Sequence, residues 1–256
     1  MRIALLSDIH ANRQAWDACL QHAQALGAER LAVLGDLVGY GGDPAYVVDQ
    51  ARAVQAAGGW VLQGNHDAMA LHPPAPGDAA AQSMGAQGAA WTCKQLSDAQ
   101  RDFLAALPLT ARVGAILLVH ASADQPERWR YVEDEGAATR CLDAALRDQP
   151  DLHLVACGHV HHQALYYRGA SGGLMRFAPR PGVPIPIPRH RRWVATIGSV
   201  GQPRDGDTRA MWALLDTDRA TLRFERTPYA VDAAAQAIRA SGAMPEEFAR
   251  RLERGR

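Results

Sequence analysis

Apolar residues in this chain fall mostly into short unbroken runs, separated by longer stretches whose apolar positions recur with helical spacing. The runs at 3–6, 31–34, 60–62, 116–119, 152–157 and 193–197 are too short for helices and lack the alternation of a half-exposed strand. They predict strands covered on both faces. Between them, 12–26 closes on Gly27, 44–57 opens on Pro44 and stops at Gly58-Gly59, and 135–147 is amphipathic; each is an expected helix. Residues 68–108 are Ala-rich and helical in character, apart from a break at 73–77, and are expected to form a small helical cap over the strand ends. Pro179, Pro181, Pro184, Pro186 and Pro188 exclude a central strand or helix from 169–192. That segment is expected to be a proline-rich loop or an edge excursion between strands at 163–167 and 193–197. A hairpin at 212–215 and 221–224 and helices at 231–240 and 245–252 complete the pattern. Strands alternating with helices predict an α/β fold, and 256 residues suit one domain over 1–256.

Composition narrows the function classes. The 27 basic and 27 acidic residues cancel, so no global field draws the chain to nucleic acid or to an anionic membrane. Any anion must be attracted by a local site. Cys19, Cys93, Cys141 and Cys157 are far apart, with no Cys-x-x-Cys spacing, and read as reduced thiols in a cytoplasmic protein. The apolar run at the start is too brief for a signal peptide or a membrane span.

Five short polar signatures punctuate the ends of expected strands: Asp8-Ile9-His10, Gly35-Asp36, Gly64-Asn65-His66-Asp67, His120 and Gly158-His159-Val160-His161. Taken singly, each has a plainer reading. Asp-x-His arises often by chance, a histidine ending a strand commonly serves structure, and Gly-Asn favours a turn. Together, they all lie beyond the carboxyl ends of strands in an α/β sheet, where residues distant in sequence converge. Oxygen and imidazole ligands without thiolate suit Mn, Fe, Zn or Ni. Two divalent cations held by two carboxylates and a bridging hydroxide keep net positive charge, as a phosphate oxygen requires. A carboxylate shared by two metals about 3.5–4 Å apart is needed, and Asp36 lies centrally in the order of the signatures.

These signatures, in this order and spacing over residues 1 to about 200, resemble the calcineurin-like metallophosphoesterase superfamily. The strings Ser7-Asp8-Ile9-His10-Ala11-Asn12, Gly35-Asp36-Leu37-Val38-Gly39-Tyr40-Gly41 and 199–205 look like its small bacterial and archaeal phosphodiesterase branch. The resemblance implies a four-layer α/β/β/α sandwich of two mixed sheets with flanking helices. It also implies a dinuclear phosphoesterase that hydrolyses a small phosphodiester or nucleotide-type substrate with a metal-bridging hydroxide. Asp8, His10 and His161 would then hold one metal, Asp36 would bridge, and Asn65, His120 and His159 would hold the other. His66 would be the unligated histidine that protonates the leaving group or steadies the transition state, with Asp67 orienting it. Ala11 stands where the family often has Gly, and Val160 where it often has Thr; neither is a ligand.

Several features keep two readings. Asn12 either caps the first helix or touches substrate, and Arg204 either lines the pocket or does not. Arg189, Arg191 and Arg192 are either a phosphate clamp or a solvated basic loop. His162 is expected to point away from the site and His153 to lie in a buried strand. A phosphomonoesterase, a protein phosphatase and a non-catalytic scaffold of the same fold, such as the superfamily's retromer subunit, are the alternatives. Intact ligands and His66 speak against the scaffold. The expected partner is a small phosphate ester, without stable nucleic-acid binding or membrane attachment; self-association into a homo-oligomer stays open.

Overall fold

The computed structural model describes residues 1–75, 79–169 and 172–256. In chain order the strands are β1 (Arg2–Leu6), β2 (Arg30–Val33), β3 (Trp60–Val61), β4 (Thr110–Val113), β5 (Ile116–Val119), β6 (Leu154–Cys157), β7 (Gln163–Arg168), β8 (Leu174–Phe177), β9 (Pro184–Pro186), β10 (Trp193–Ile197), β11 (Ala210–Asp216) and β12 (Thr221–Thr227). The helices are α1 (Arg13–Ala25), α2 (Pro44–Ala56), α3 (Asn65–Leu71), α4 (Met84–Gln95), α5 (Asp98–Ala105), α6 (Glu135–Asp148), α7 (Val231–Ala240) and α8 (Glu246–Arg254). The strands form two mixed six-stranded sheets, ordered β3-β2-β1-β11-β12-β9 and β4-β5-β6-β10-β7-β8.

The apolar runs are unbroken because each faces two cores. In β1, Ile3 and Leu5 point between the sheets, where they meet Leu118, Leu154, Ile197 and Phe224. Ala4 and Leu6 point outward, onto a layer with Trp16 and Cys19 of α1 and Val47 and Val48 of α2. The far face of the second sheet is covered in the same way, Val119 and Val155 packing with Cys141 and Leu142 of α6. The result is the expected four-layer arrangement.

Two details position the site. Strands β1, β2 and β3 run parallel in the first sheet, as do β5, β6 and β10 in the second. The loops after all of these strands therefore reach one end of the sandwich. Cross-sheet hydrogen bonds lock that end: Val200 N–H donates to the Ser7 carbonyl at 2.9 Å and Gly201 N–H to the Asp8 carbonyl at 2.8 Å.

Elsewhere the sequence reading is refined. The proline-rich segment is an edge excursion that gives one short strand to each sheet, β8 pairing with β7 and β9 with β12, both at sheet edges where proline's missing N–H is tolerated. Strand β4 was not anticipated, because its alternating exposure left no apolar run. Part of the 73–77 break lies outside the described residues. Helices α4 and α5 pack on α2 and α3. Among the described residues, no helix is long and apolar enough to cross a membrane.

Candidate metal centre

Strand ends deliver the side chains. Asp8 and His10 follow β1, Asp36 follows β2, Asn65 and His66 open α3 just after β3, His120 follows β5, and His159 and His161 follow β6. The carboxylates and the four histidines other than His66 are at most 6% exposed. Asp8, His10, Asp36, His159 and His161 all have left-handed backbone, with φ between +49° and +67°. For an L-residue that conformation costs about 1–2 kcal/mol, and it concentrates where the chain must turn sharply to aim a side chain back over the strand ends. Neighbouring loops hold the turns in place. Asp8 N–H donates to the Gly35 carbonyl, His10 N–H to the Asp36 carbonyl, and Gly158 N–H to the His120 carbonyl. The carboxylates accept as well: His159 N–H donates to Asp8 Oδ2 and His66 N–H to Asp36 Oδ1, both at 2.8 Å. This closeness requires Gly158, since a Cβ there would lie 1.8 Å from Ser7 Oγ and 2.5 Å from Asp8 Oδ2.

The donor atoms form two groups, Asp8/His10/His161 and Asp36/His120/His159, with the atoms of each group within 4.8 Å of one another. Asp36 joins them, its Oδ2 lying 3.4 Å from His120 Nε2 and 3.7 Å from His10 Nε2 of the other group. Asn65 Oδ1 lies 3.2 Å from His120 Nε2 and extends the second group. All seven ligand-type residues expected from the sequence are thus in one place.

The chemistry of this donor set fits divalent cations. Nδ1 of His10, His120 and His161 faces the carbonyls of Val38, Leu34 and Gln202, at 3.2, 2.7 and 2.7 Å. A carbonyl only accepts, so in the neutral rings Nδ1 carries the proton and Nε2 presents a lone pair inward. His10 Nε2 and His161 Nε2 then face each other at 3.1 Å as two lone pairs, an arrangement that a cation between them turns from repulsive to binding. Asp8 Oδ1 and His159 Nε2 are buried without a hydrogen-bond partner, which is costly unless something coordinates them.

The ionisation pattern agrees. Burial would raise Asp8 and Asp36, but the imidazoles packed against them, His161 on the first and His120 on the second, outweigh it, so both are held well below the usual carboxylate range. Burial takes His10 well below its ordinary value and His159 down to about 4. His120 is pushed up to about 9 because Asp36 overcomes its burial. In the chain without metal a proton on His120 therefore occupies the position beside Asp36 that a cation would take.

His66 stands next to this cluster without joining either group. Its ring centroid is 5.1 Å from that of His10 and 4.3 Å from that of Tyr40, and burial keeps it below its ordinary pKa. Gly39, at φ +87°, gives the ring room: a Cβ there would sit 2.8 Å from His66 Nδ1.

One expectation needs correction, and two open readings resolve to the plainer alternative. Asp67 does not touch the His66 imidazole; its two oxygens accept from Gly64 N–H and Val38 N–H, so it caps α3 and ties that helix to the Asp36 loop. Asn12 is 2% exposed, caps α1 by accepting from Ala15 N–H and donates to the Gly201 carbonyl, so it holds the helix start and the Gly201 loop. Arg189 bonds the Thr217 carbonyl beside Met1, at the opposite end of the sandwich, and Arg192 bonds the Arg189 and Pro150 carbonyls there, so this basic loop is no phosphate clamp. His153 precedes β6 and is buried at that far end too. Arg204, by contrast, is at the site, its guanidinium held by Gln202 Oε1 and lying 5.7 Å from the Tyr40 ring centroid.

Three aromatic residues went unread in the sequence. Tyr40 packs tilted against the rings of His10 and His66, Trp129 meets the His120 ring edge-on, and Tyr131 stacks on the His159 ring at 4.0 Å. Only Tyr40 carried a signal, being set between Gly39 and Gly41 directly after an expected ligand loop.

Comparison with known proteins agrees with this geometry. The profile of the calcineurin-like phosphoesterase superfamily domain matches residues 1–220. An uncharacterized protein of Methanocaldococcus jannaschii is 28% identical over 258 residues, 99% of this chain and 98% of that protein. The crystal structure of a metallophosphoesterase from Sphaerobacter thermophilus superposes with a TM-score of 0.87 at 29% identity, covering 100% of this chain and 99% of that one. A hypothetical protein from Pyrococcus horikoshii OT3 shares the fold, with a TM-score of 0.76 at 18% identity over 100% and 98% of the two chains. With a family match over residues 1–220, this chain belongs to the calcineurin-like phosphoesterase superfamily.

Proposed function

We propose that the chain is a dinuclear metallophosphoesterase acting on a small phosphodiester or nucleotide-type substrate. The observation that carries the proposal is Asp36 Oδ2, which lies within 3.7 Å of histidine donors from both groups and so can be shared by two cations. Asp8, His10 and His161 would hold the first cation and Asn65, His120 and His159 the second, with Mn, Fe, Ni and Zn all suited to this oxygen and imidazole set. When bound, the pair supplies Lewis acidity toward the phosphoryl oxygens and lowers the pKa of the attacking water.

The chain's own residues do the rest. The backbone N–H groups of His159 and His66 fix the two carboxylates, so the donors need not reorganise as charge develops. Because burial keeps His66 neutral, its imidazole N–H can donate a hydrogen bond to a phosphoryl or leaving-group oxygen. Arg204 and Tyr40 close the side next to His66, where a substrate oxygen beyond the donors would lie.

The test is metal loading and hydrolysis together. After Mn loading, the wild type should carry close to two equivalents and hydrolyse bis-p-nitrophenyl phosphate, whereas Asp36→Asn should lose activity and most of the second equivalent. Full activity in a chelator-treated sample overturns the proposal. A preference of tenfold or more for a phosphopeptide or plasmid DNA overturns the small-substrate part, since that factor is about 1.4 kcal/mol of transition-state discrimination.

A further inference from the structure

Next to the donor cluster, the outer face of the second sheet forms an open cavity of about 490 Å³. Its floor is built from three adjacent strands: Thr196 of β10 pairs with Ala164 of β7, and Tyr166 of β7 with Arg176 of β8. Its walls are Tyr131, His162 and Arg204. Each wall residue is tied to the candidate centre. Tyr131 stacks on the His159 ring, His162 follows His161 directly, and Arg204 is held by Gln202, whose carbonyl faces His161 Nδ1. Through Tyr131 and Arg204 the cavity borders the donor cluster.

Two guanidiniums on its lining have no carboxylate partner among the described residues. Arg176 is exposed and has no hydrogen-bond or ion-pair partner among the described residues. Arg204 spends Nε and Nη2 on the neutral amide of Gln202, so its charge is not neutralised by a carboxylate. Other arginines on this sheet are paired with acids, Arg112 with Asp151 and Arg168 with Asp143. A single carboxylate, Glu133, lines the cavity against these two guanidiniums. The surplus is positive, and guanidinium forks match phosphoryl oxygens.

We infer that this cavity is a second phosphoryl subsite. It binds an ionised phosphoryl group on the substrate arm beyond the reacting phosphorus, between Arg176 and Arg204, so the substrate carries at least two phosphoryl groups; a dinucleoside tetraphosphate serves as the probe. The inference rests on the phosphoesterase reading, and its test separates the two. In the Mn-loaded protein, the ratio of kcat/KM for a dinucleoside tetraphosphate to that for bis-p-nitrophenyl phosphate should fall at least tenfold in Arg176→Gln, and also in Arg204→Gln. Arg112→Gln, at the far end of the sheet, should keep the wild-type ratio. Calorimetry of inorganic tripolyphosphate binding to the chelator-treated chain gives a readout that needs no catalysis. There Arg176→Gln should weaken binding at least fivefold, and because Arg176 is exposed the variant is expected to fold normally. An unchanged ratio in Arg176→Gln, or equal tripolyphosphate binding by wild type and Arg176→Gln, overturns the subsite. A Mn-loaded protein that hydrolyses neither substrate overturns the phosphoesterase reading, and the calorimetric comparison still decides the subsite.

Discussion

Replacing Gly39 by Ala should damage catalysis through His66 alone. The new methyl carbon would sit 2.8 Å from His66 Nδ1, 3.1 Å from Cγ and 3.2 Å from Cβ, and the backbone there has φ +87°. Left-handed strain costs about 1–2 kcal/mol and overpacking about 1–3 kcal/mol, so the variant should lose roughly 2–5 kcal/mol of stability. For a chain of this size that is a fall in Tm of roughly 5–20 °C. The softest obstacle is the imidazole ring, which has open space on fewer sides than a surface residue but is not bonded in place, so the ring moves before the backbone does. A displacement of about 1 Å in a catalytic group can cost about 10²-fold. We expect kcat on bis-p-nitrophenyl phosphate to fall by about that factor in Mn-loaded Gly39→Ala, with metal content by elemental analysis close to that of the wild type. The decisive measurement is the double variant. If Gly39 acts through His66, adding Gly39→Ala to His66→Ala should lower kcat little further, a coupling of about 2.7 kcal/mol. An undiminished 10²-fold loss in the His66→Ala background, or loss of metal from Gly39→Ala, would refute the reasoning.

His66→Ala alone should lower kcat by about 10²- to 10⁴-fold while metal content stays near that of the wild type, and an emptied site would show that His66 is a ligand. Mn at about 100 times its dissociation constant should stabilise the fold by about 2.7 kcal/mol, read as a rise in Tm that Asp36→Asn largely abolishes. His153 is a pH probe far from the site: burial and the charges of Arg189 and Arg192 lower its pKa in the folded chain below the ordinary 6.5. A depressed histidine binds its proton more readily when unfolded, so stability should fall as the pH drops below 6.5, by at most about 1.4 kcal/mol per unit, and His153→Gln should flatten that slope in urea titrations. Trp212 is fully buried and its indole N–H donates to Thr227 Oγ1, so Trp212→Ala should cost about 3–5 kcal/mol in the same assay.

The strands that carry the site were legible because both of their faces are buried, which leaves unbroken apolar runs, and because each run is followed within a few residues by a carboxylate or imidazole. The seven ligand-type residues followed from those ends and from the family resemblance. Strands β4, β8 and β9 were not legible as strands, since edge positions carry exposed or proline residues and give no periodic signal. The error at Asp67 and the readings left open at Asn12 and Arg189 have a common cause. Sequence order says which residues are neighbours along the chain, but not which hydrogen bonds a side chain has already made, nor to which end of the sandwich a returning loop comes back. Tyr131 against His159 and Arg204 over Tyr40 are contacts between segments that only the packing of the two sheets brings together.

The division of donors between the sheets has a mechanical consequence. One group takes Asp8 and His10 from the first sheet and His161 from the second, while the other takes Asp36 from the first and His120 and His159 from the second. Each bound cation would straddle the seam and act as a clasp between the two halves of the sandwich. The opposite end has no such clasp and instead holds a cavity of about 230 Å³ lined by Met1, Ile116, Ile187 and Leu215. Shear between the sheets would then pivot on the metal end, so removing the cations should free the catalytic loops and the relative sliding of the two sheets together.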